Sequence, residues 1–221
     1  MATQISRLLK TSVSSTDSTV YQVASGNSVM ISQLMFCNTH SGAVTVSLSY
    51  TDSEALSTTA ADRLFHNFSI AAGETVMIEA NLAFYENEKL WAIASVGDVV
   101  NLFINGMTCL TAETDIRKLS DTRASSTEAV IHQVGSEIKV NLTQIILCNT
   151  HTSSVTVDIA VTSSASTSTV VGDRIFSSLT IEAGQTSILM TNFILNAEEK
   201  IWADASVNNV VNILAYGYTY S

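Results

Sequence analysis

The chain has 221 residues, of which 46% are hydrophobic and 14% charged, and a formal net charge of −10 with histidine neutral. An acidic chain lacks the basic surface that phosphate backbones require, which excludes nucleic acid as a partner. No apolar run is long enough for a membrane-spanning helix, and the first ten residues hold no secretory h-region, so neither a membrane nor export is expected.

Proline is absent, so turns are expected to use Gly, Asn, Asp and Ser. Sheet edges must be protected by some other device. Ile5 and Leu8 belong to a short lead-in arm, and Thr19–Ala24 reads as the first strand. Val29–Cys37 is a long apolar run, expected as a central strand, and it closes on Cys37-Asn38-Thr39-His40. Ala43–Thr51 alternates with Val44, Val46, Leu48 and Tyr50 on one side, the pattern of a half-buried strand. Thr51–Ala61 is Ser/Thr-rich and reads as an exposed loop. Asp62–Ile70 is a strand carrying Leu64, Phe65, Phe68 and Ile70, followed by an Ala71-Ala72-Gly73-Glu74 turn and a strand at Thr75–Glu79. Asn81–Glu88 is the one helix-like segment, and it is short. Leu90–Val96 and Val99–Thr108 around Gly97-Asp98 predict a hairpin.

The same series then repeats. Cys148-Asn149-Thr150-His151 stands 111 residues after Cys37-Asn38-Thr39-His40, and the offset holds without a gap. Asp62-Arg63 falls on Asp173-Arg174, Ala72-Gly73 on Ala183-Gly184, Glu88-Lys89 on Glu199-Lys200, and Trp91-Ala92 on Trp202-Ala203. Roughly four residues in ten are identical, the mark of a duplicated folding unit. Residues 1–110 and 111–221 are therefore read as two homologous domains, with 111–119 as the lead-in arm of the second. About seven short strands per unit, separated by regular turn signals, predict an all-β protein of two tandem antiparallel β-sandwich, jelly-roll-like domains. The predicted core is Leu34, Phe36, Val44, Val46, Leu48, Phe65, Ile70, Leu90 and Leu102, with Ile145, Leu147, Val155, Val157, Ile159, Phe176, Ile181, Ile201 and Ile213 as its counterpart.

Each feature that resembles chemistry has a structural reading beside it. One Cys-x-x-His per unit is half of a zinc ligand set, and no second pair accompanies it; His66 and His132 are not equivalents of each other. Cys37 and Cys148 are expected to be buried and without disulfides, each closing a strand, with Asn bonding local backbone to begin a turn. A strand-end cysteine is also the wrong setting for an activated nucleophile. No Gly-rich phosphate loop opens a helix. No catalytic residue, cofactor or metal is expected. The candidate interface residues are Tyr216, Tyr218 and Tyr220, which share one face of the last strand, Trp91 and Trp202, which could stack on sugars or fill a core, and Arg63 and Arg174, read as interface or inter-strand ion pairs.

The unit contains Leu147-Cys148-Asn149-Thr150, then Ser-Ser-Val-Thr-Val, an Arg-containing strand, Leu179-Thr180-Ile181-Glu182-Ala183-Gly184, Glu199-Lys200-Ile201-Trp202-Ala203 and Val210-Val211-Asn212-Ile213. This pattern resembles small β-sandwich virion proteins of tailed bacteriophages, including capsid decoration (cement) proteins and modules of neck and tail. The resemblance covers both units. It implies a non-enzymatic, homo-oligomeric virion component, assembled in the host cytoplasm, whose partners are other virion proteins such as a major capsid, tail or neck protein. A capsid decoration protein is the first expectation. A tail, neck or baseplate module that binds a host receptor or glycan through the Ser/Thr loops and Trp91/Trp202 is the alternative.

Overall fold

A computed structural model describes residues 4–110 and 116–220. The chain divides into two units, Met1–Thr114 and Asp115–Ser221. The repeat boundary expected at residues 110/111 borders segment 111–115, which lies outside the described residues.

Among the described residues each unit contains eight strands. In the first they are β1 (Gln4–Ser12), β2 (Ser18–Gln22), β3 (Asn27–Asn38), β4 (Val44–Thr51), β5 (Arg63–Ile70), β6 (Thr75–Phe84), β7 (Lys89–Ala94) and β8 (Val100–Leu110). In the second they are β9 (Ile116–Arg123), β10 (Ala129–Gln133), β11 (Lys139–Asn149), β12 (Val155–Thr162), β13 (Arg174–Ile181), β14 (Thr186–Leu195), β15 (Lys200–Ala205) and β16 (Val211–Tyr220). The first unit forms two four-stranded sheets, β1-β8-β3-β6 and β2-β7-β4-β5, and the second forms β9-β16-β11-β14 and β10-β15-β12-β13. All pairings are antiparallel. The first strand of each unit lies beside the last, and the chain crosses between sheets at every connection except β4–β5 and its counterpart β12–β13. That connectivity defines an eight-stranded jelly roll, present twice.

Period-two alternation puts one face of each strand into its unit's core. Ile31, Leu34 and Phe36 of β3 and Leu102 and Ile104 of β8 are fully buried, as are Val44, Val46 and Leu48 of β4 and Leu90 and Ala92 of β7. The second unit repeats this with Leu142, Ile145 and Leu147 of β11, Val155, Val157 and Ile159 of β12, and Ile201, Val211 and Ile213. Of the predicted core residues, Phe176 alone is only partly buried.

Other expectations need correction. Eight strands, not seven, make each unit, because the supposed lead-in arm is β1, paired with β8. Gly97-Asp98 is no hairpin turn: β7 pairs with β2 and β4, whereas β8 pairs with β1 and β3, so this turn carries the chain from one sheet to the other. The helix-like segment begins as strand, with Leu82 and Phe84 pairing into β3 beyond a bulge. Cys37 is half-buried rather than buried, because Leu34 and Phe36 take the inward positions and leave it facing outward. Cys148 is fully buried. Among the described residues no disulfide is formed, and no helix is long and apolar enough to cross a membrane.

Irregularity reaches every sheet edge, and among the interior pairings β3–β8 and β11–β16 share it through the shifts at Ile31/Gln33 and Leu142/Gln144. The pairings of β1, β2, β5, β6, β9, β10, β13 and β14, the eight edge strands, all contain register shifts. The interior pairings β4–β7 and β12–β15 contain none. Asn67 and Ser178, at equivalent places in β5 and β13, are both held at positive φ. Bulges of this kind twist an edge away from pairing, the role that proline cannot play in this chain.

Candidate functional site

The repeated Cys-Asn-Thr-His stretch is a knot of backbone ties. Asn38 is fully buried. Its Nδ2 donates to the carbonyls of Gly42, Ile70 and Ala71, each at 3.0 Å, and its Oδ1 accepts from the His40 N–H at 2.9 Å. The Thr39 N–H and hydroxyl both donate to the Val99 carbonyl at 2.8 Å. His40 Nδ1 accepts from the Gly42 N–H at 3.1 Å. Asn149, Thr150 and His151 reproduce the set: Asn149 Nδ2 reaches the carbonyls of Ser153, Ile181 and Glu182 at 2.9, 3.0 and 3.1 Å, and Thr150 reaches Val210. The stretch thus holds together three turns that are distant in sequence: its own, the Ala-Gly turn after β5 or β13, and the turn before β8 or β16. The sequence predicts a local turn bond for the Asn; each Asn makes two local bonds and two more to the turn after β5 or β13. Among the described residues no three His, Cys, Asp or Glu side chains group together as a metal site does.

The Glu-Lys-x-Trp repeat is also structural. Glu88 accepts from the Tyr85 N–H at 2.6 Å and closes the turn before β7; Glu199 accepts from the Asn196 N–H at 2.8 Å. Lys89 Nζ donates to the Ala55 carbonyl and Lys200 Nζ to the Ser166 carbonyl, both at 2.8 Å, which pins the Ser/Thr-rich loop in each unit. Trp91 Nε1 donates to Thr51 Oγ1 and Trp202 Nε1 to Thr162 Oγ1, both at 2.8 Å. The two indoles are 8% and 7% exposed, so neither offers a face for a sugar to stack on. This corrects the sugar-platform reading of Trp91 and Trp202.

Arg63 and Arg174 anchor the same loops. Arg63 Nη1 donates to Ser49 Oγ and, at 3.1 Å, to Thr58 Oγ1, with Asp17 Oδ2 at 3.9 Å. The Thr58 hydroxyl donates to Asp17, which precedes β2 at the far edge of the sheet, so the loop is tied across that sheet's outer face. Arg174 Nη1 lies 2.9 Å from Glu128 Oε1 and 3.3 Å from Asp204 Oδ1, and the Thr169 hydroxyl donates to Glu128. Each arginine thus faces a carboxylate that precedes a strand, Asp17 before β2 and Glu128 before β10, and Arg174 also reaches Asp204 of β15. Asp17 and Glu128 were missed from the sequence, although the two stand at the repeat offset from one another.

The second unit adds a feature the first lacks. Asp158 and Asp204 are Cα partners on β12 and β15, where the first unit pairs Ser47 with Ile93. Burial, then the facing Asp158 carboxylate, hold Asp204 above the usual carboxylate range, against the opposing pull of Arg174. At Glu128 burial pushes upward, but the bonds from Thr169 and the Arg174 guanidinium outweigh it and the carboxyl is held below its usual range. His66 and His132 are both held low, chiefly by burial, with Arg63 adding to the effect at His66. In the first unit a hollow of about 120 Å³ over Ser47 is lined by Thr45, Asn67 and Ile93 among others. It is smaller than the roughly 300 Å³ at which small-molecule pockets begin.

Of the three tyrosines, Tyr216 is fully buried, Tyr218 half-buried and Tyr220 52% exposed. Tyr216 therefore offers no accessible surface, while the end of β16 does.

No protein-family model matches the chain, and no curated protein matches it. Among solved structures, the major capsid protein of bacteriophage PM2 is similar at 10% identity and a TM-score of 0.34, over 96% of this chain and 98% of that one. A chain of Sulfolobus Turreted Icosahedral Virus is similar at 9% identity and a TM-score of 0.33, over 99% and 90%. A fucolectin from striped bass (Morone saxatilis) serum is similar at 8% identity and a TM-score of 0.27, over 91% and 85%. These scores are low, and the assignment of the jelly roll rests on strand order and pairing alone.

Proposed function

We propose that this chain is a non-enzymatic structural protein of a bacteriophage virion, and that it decorates and cements the capsid. One observation carries the reading. The three motifs that recur across the duplication, Cys-Asn-Thr-His, Asp-Arg and Glu-Lys-x-Trp, have their polar groups engaged in holding turns, loops and sheets. Duplication has kept architecture in register, and the side chains from which a repeated active site would be drawn are occupied. Jelly rolls serve viral capsid and lectin domains alike, and the resemblance of the repeat to small virion proteins of tailed phages favours the first. Two tandem units allow two contacts with a regular shell, and a linked second contact raises avidity without any new kind of interaction. The partners on this reading are other virion proteins, the major capsid protein foremost.

The test is to purify particles from a lysate of the producing host and label them with an antibody to this chain. Regular label over the head is the expected result. Label confined to the neck, tail or baseplate would move the protein to that part of the particle, and its absence from particles would overturn the virion assignment.

A further inference from the structure

One polar row crosses the outer face of the β1-β8-β3-β6 sheet. Arg7 of β1 is the Cα partner of Asn105, Asn105 of Gln33, and Gln33 of Glu79 on β6. Directly paired residues point to the same side of a sheet, so these four side chains stand in line from one edge to the other. In the middle, Asn105 Nδ2 donates to Gln33 Oε1 at 3.0 Å. Arg7 and Glu79 are exposed at the two ends, three strand spacings or roughly 14 Å apart. Among the described residues neither forms an ion pair. Mainly apolar rows flank this one on both sides. Lys10, Phe103, Met35 and Met77 make one, and Ile5, Met107, Met30 and Ala83 make the other. Ile5 is 81% exposed and Met77 64%.

We propose that this face docks a second copy of the same chain about a twofold axis that runs along the strands, giving a homodimer. The occupant is argued from charge complementarity. A twofold contact sets one patch against itself, and a sheet face offers two such axes in its own plane. An axis across the strands lays β1 on β1 and β6 on β6, so Arg7 meets Arg7 and Glu79 meets Glu79. An axis along the strands reverses the strand order and keeps each row in place, so Arg7 of each copy meets Glu79 of the other, at both ends. Asn105 then lies over Gln33, Phe103 over Met35 and Met107 over Met30, polar on polar and apolar on apolar. Juxtaposed like charges are penalised and opposite ones fix register, so the charges select the second axis. Stacked sheets lie within about 30° of alignment, which keeps so short a row facing itself. Met and Phe, residue types enriched in interfaces, fill the centre. The corresponding row of the second unit is Lys118, Tyr216, Gln144 and Met190. It has no acidic end, so each chain carries one self-complementary face and assembly stops at two.

Multi-angle light scattering and sedimentation of the full chain over a wide concentration range test this. A dimer mass is expected. Arg7→Glu and Glu79→Arg each set like charges against each other at both ends of the row, and each is expected to weaken self-association at least about tenfold while the melting transition stays cooperative. The double variant, Arg7→Glu with Glu79→Arg, exchanges the two ends and is expected to restore the dimer. A monomeric native chain overturns the proposal. So does a dimer that the single reversals leave unaltered, or one that they weaken and the double reversal fails to restore.

Discussion

At the residue scale, Asn38 and Asn149 carry the most connectivity per side chain. Replacing Asn38 with Ala removes its contacts to the carbonyls of Gly42, Ile70 and Ala71 and to the His40 N–H. Buried polar groups left unpaired cost more than the lost bonds alone, so Asn38→Ala is expected to destabilise the chain by about 2–4 kcal/mol in urea titrations. Asn38→Asp, which keeps the acceptor and loses the donor, is expected to cost a similar amount. The Asp158–Asp204 pair gives a pH effect of definite sign. Asp204 is raised in the folded chain by burial and by its neighbour, so the folded state holds its proton more tightly than the unfolded one. Its contribution to stability is complete below the unfolded carboxyl value of about 3.9 and is lost as pH rises through the higher folded value. Asp204→Asn removes that loss and leaves Arg174 its contact with Glu128. In thermal melts, the stability of the variant relative to native is therefore expected to increase from pH 3 to pH 7, over about the window those values set. A difference that is flat with pH would count against the pairing.

At the element scale, bulges decide what a reader of the sequence could see. Regular alternation marks β4, and its core residues Val44, Val46 and Leu48 are legible letter by letter. β1 was read as an arm because its pairing shifts between Arg7 and Leu9, which sets Leu8 and Leu9 side by side and destroys the period of two. In β6 the parity is kept, Ile78, Leu82 and Phe84 all pairing with inward residues of β3, and the phase changes in β3 instead, from Ile31 to Leu34; the end of β6 is hidden by the helix-like letters of Asn81–Glu88. The turn at Gly97-Asp98 carries hairpin letters, but in a jelly roll the next strand belongs to the other sheet, which local chemistry does not encode. The ties that define the motifs were partly legible. Their recurrence at a fixed offset marks them as important, but apart from Thr58 the partners of Arg63, Lys89 and Trp91 lie 14 to 46 positions away, beyond any local pattern. Gly106 and Gly217 sit within the interior strands β8 and β16, where Gly normally weakens a sheet. A Cβ at Gly106 would run into the Met30 carbonyl and the Leu8 side chain, and at Gly217 into the Asn141 carbonyl and Leu119. Gly106→Ala is thus expected to cost about 1–3 kcal/mol by overpacking, measured by urea denaturation, even though alanine is the better strand former.

At the scale of the whole molecule, each unit has its own pair of sheets and its own buried residues. A chain ending at residue 114 is expected to unfold cooperatively and to show dispersed amide resonances, as a unit of about 100 residues with one core does. A disordered spectrum would mean that the first unit needs the second to fold. The pairing of β1 with β8 has a consequence in time. The first strand made in each unit waits for the last one before its edge of the sheet can close. At about 5–20 residues per second, the ribosome takes on the order of 5–20 s to deliver β8 after β1, and the competing strands of the second unit do not yet exist. Vectorial synthesis therefore hands β1 its own partner first. Refolding from denaturant removes that order and offers β1 two closing strands of similar sequence, β8 and β16. The chain diluted from urea is expected to pass through strand-exchanged species that a newly translated chain never visits.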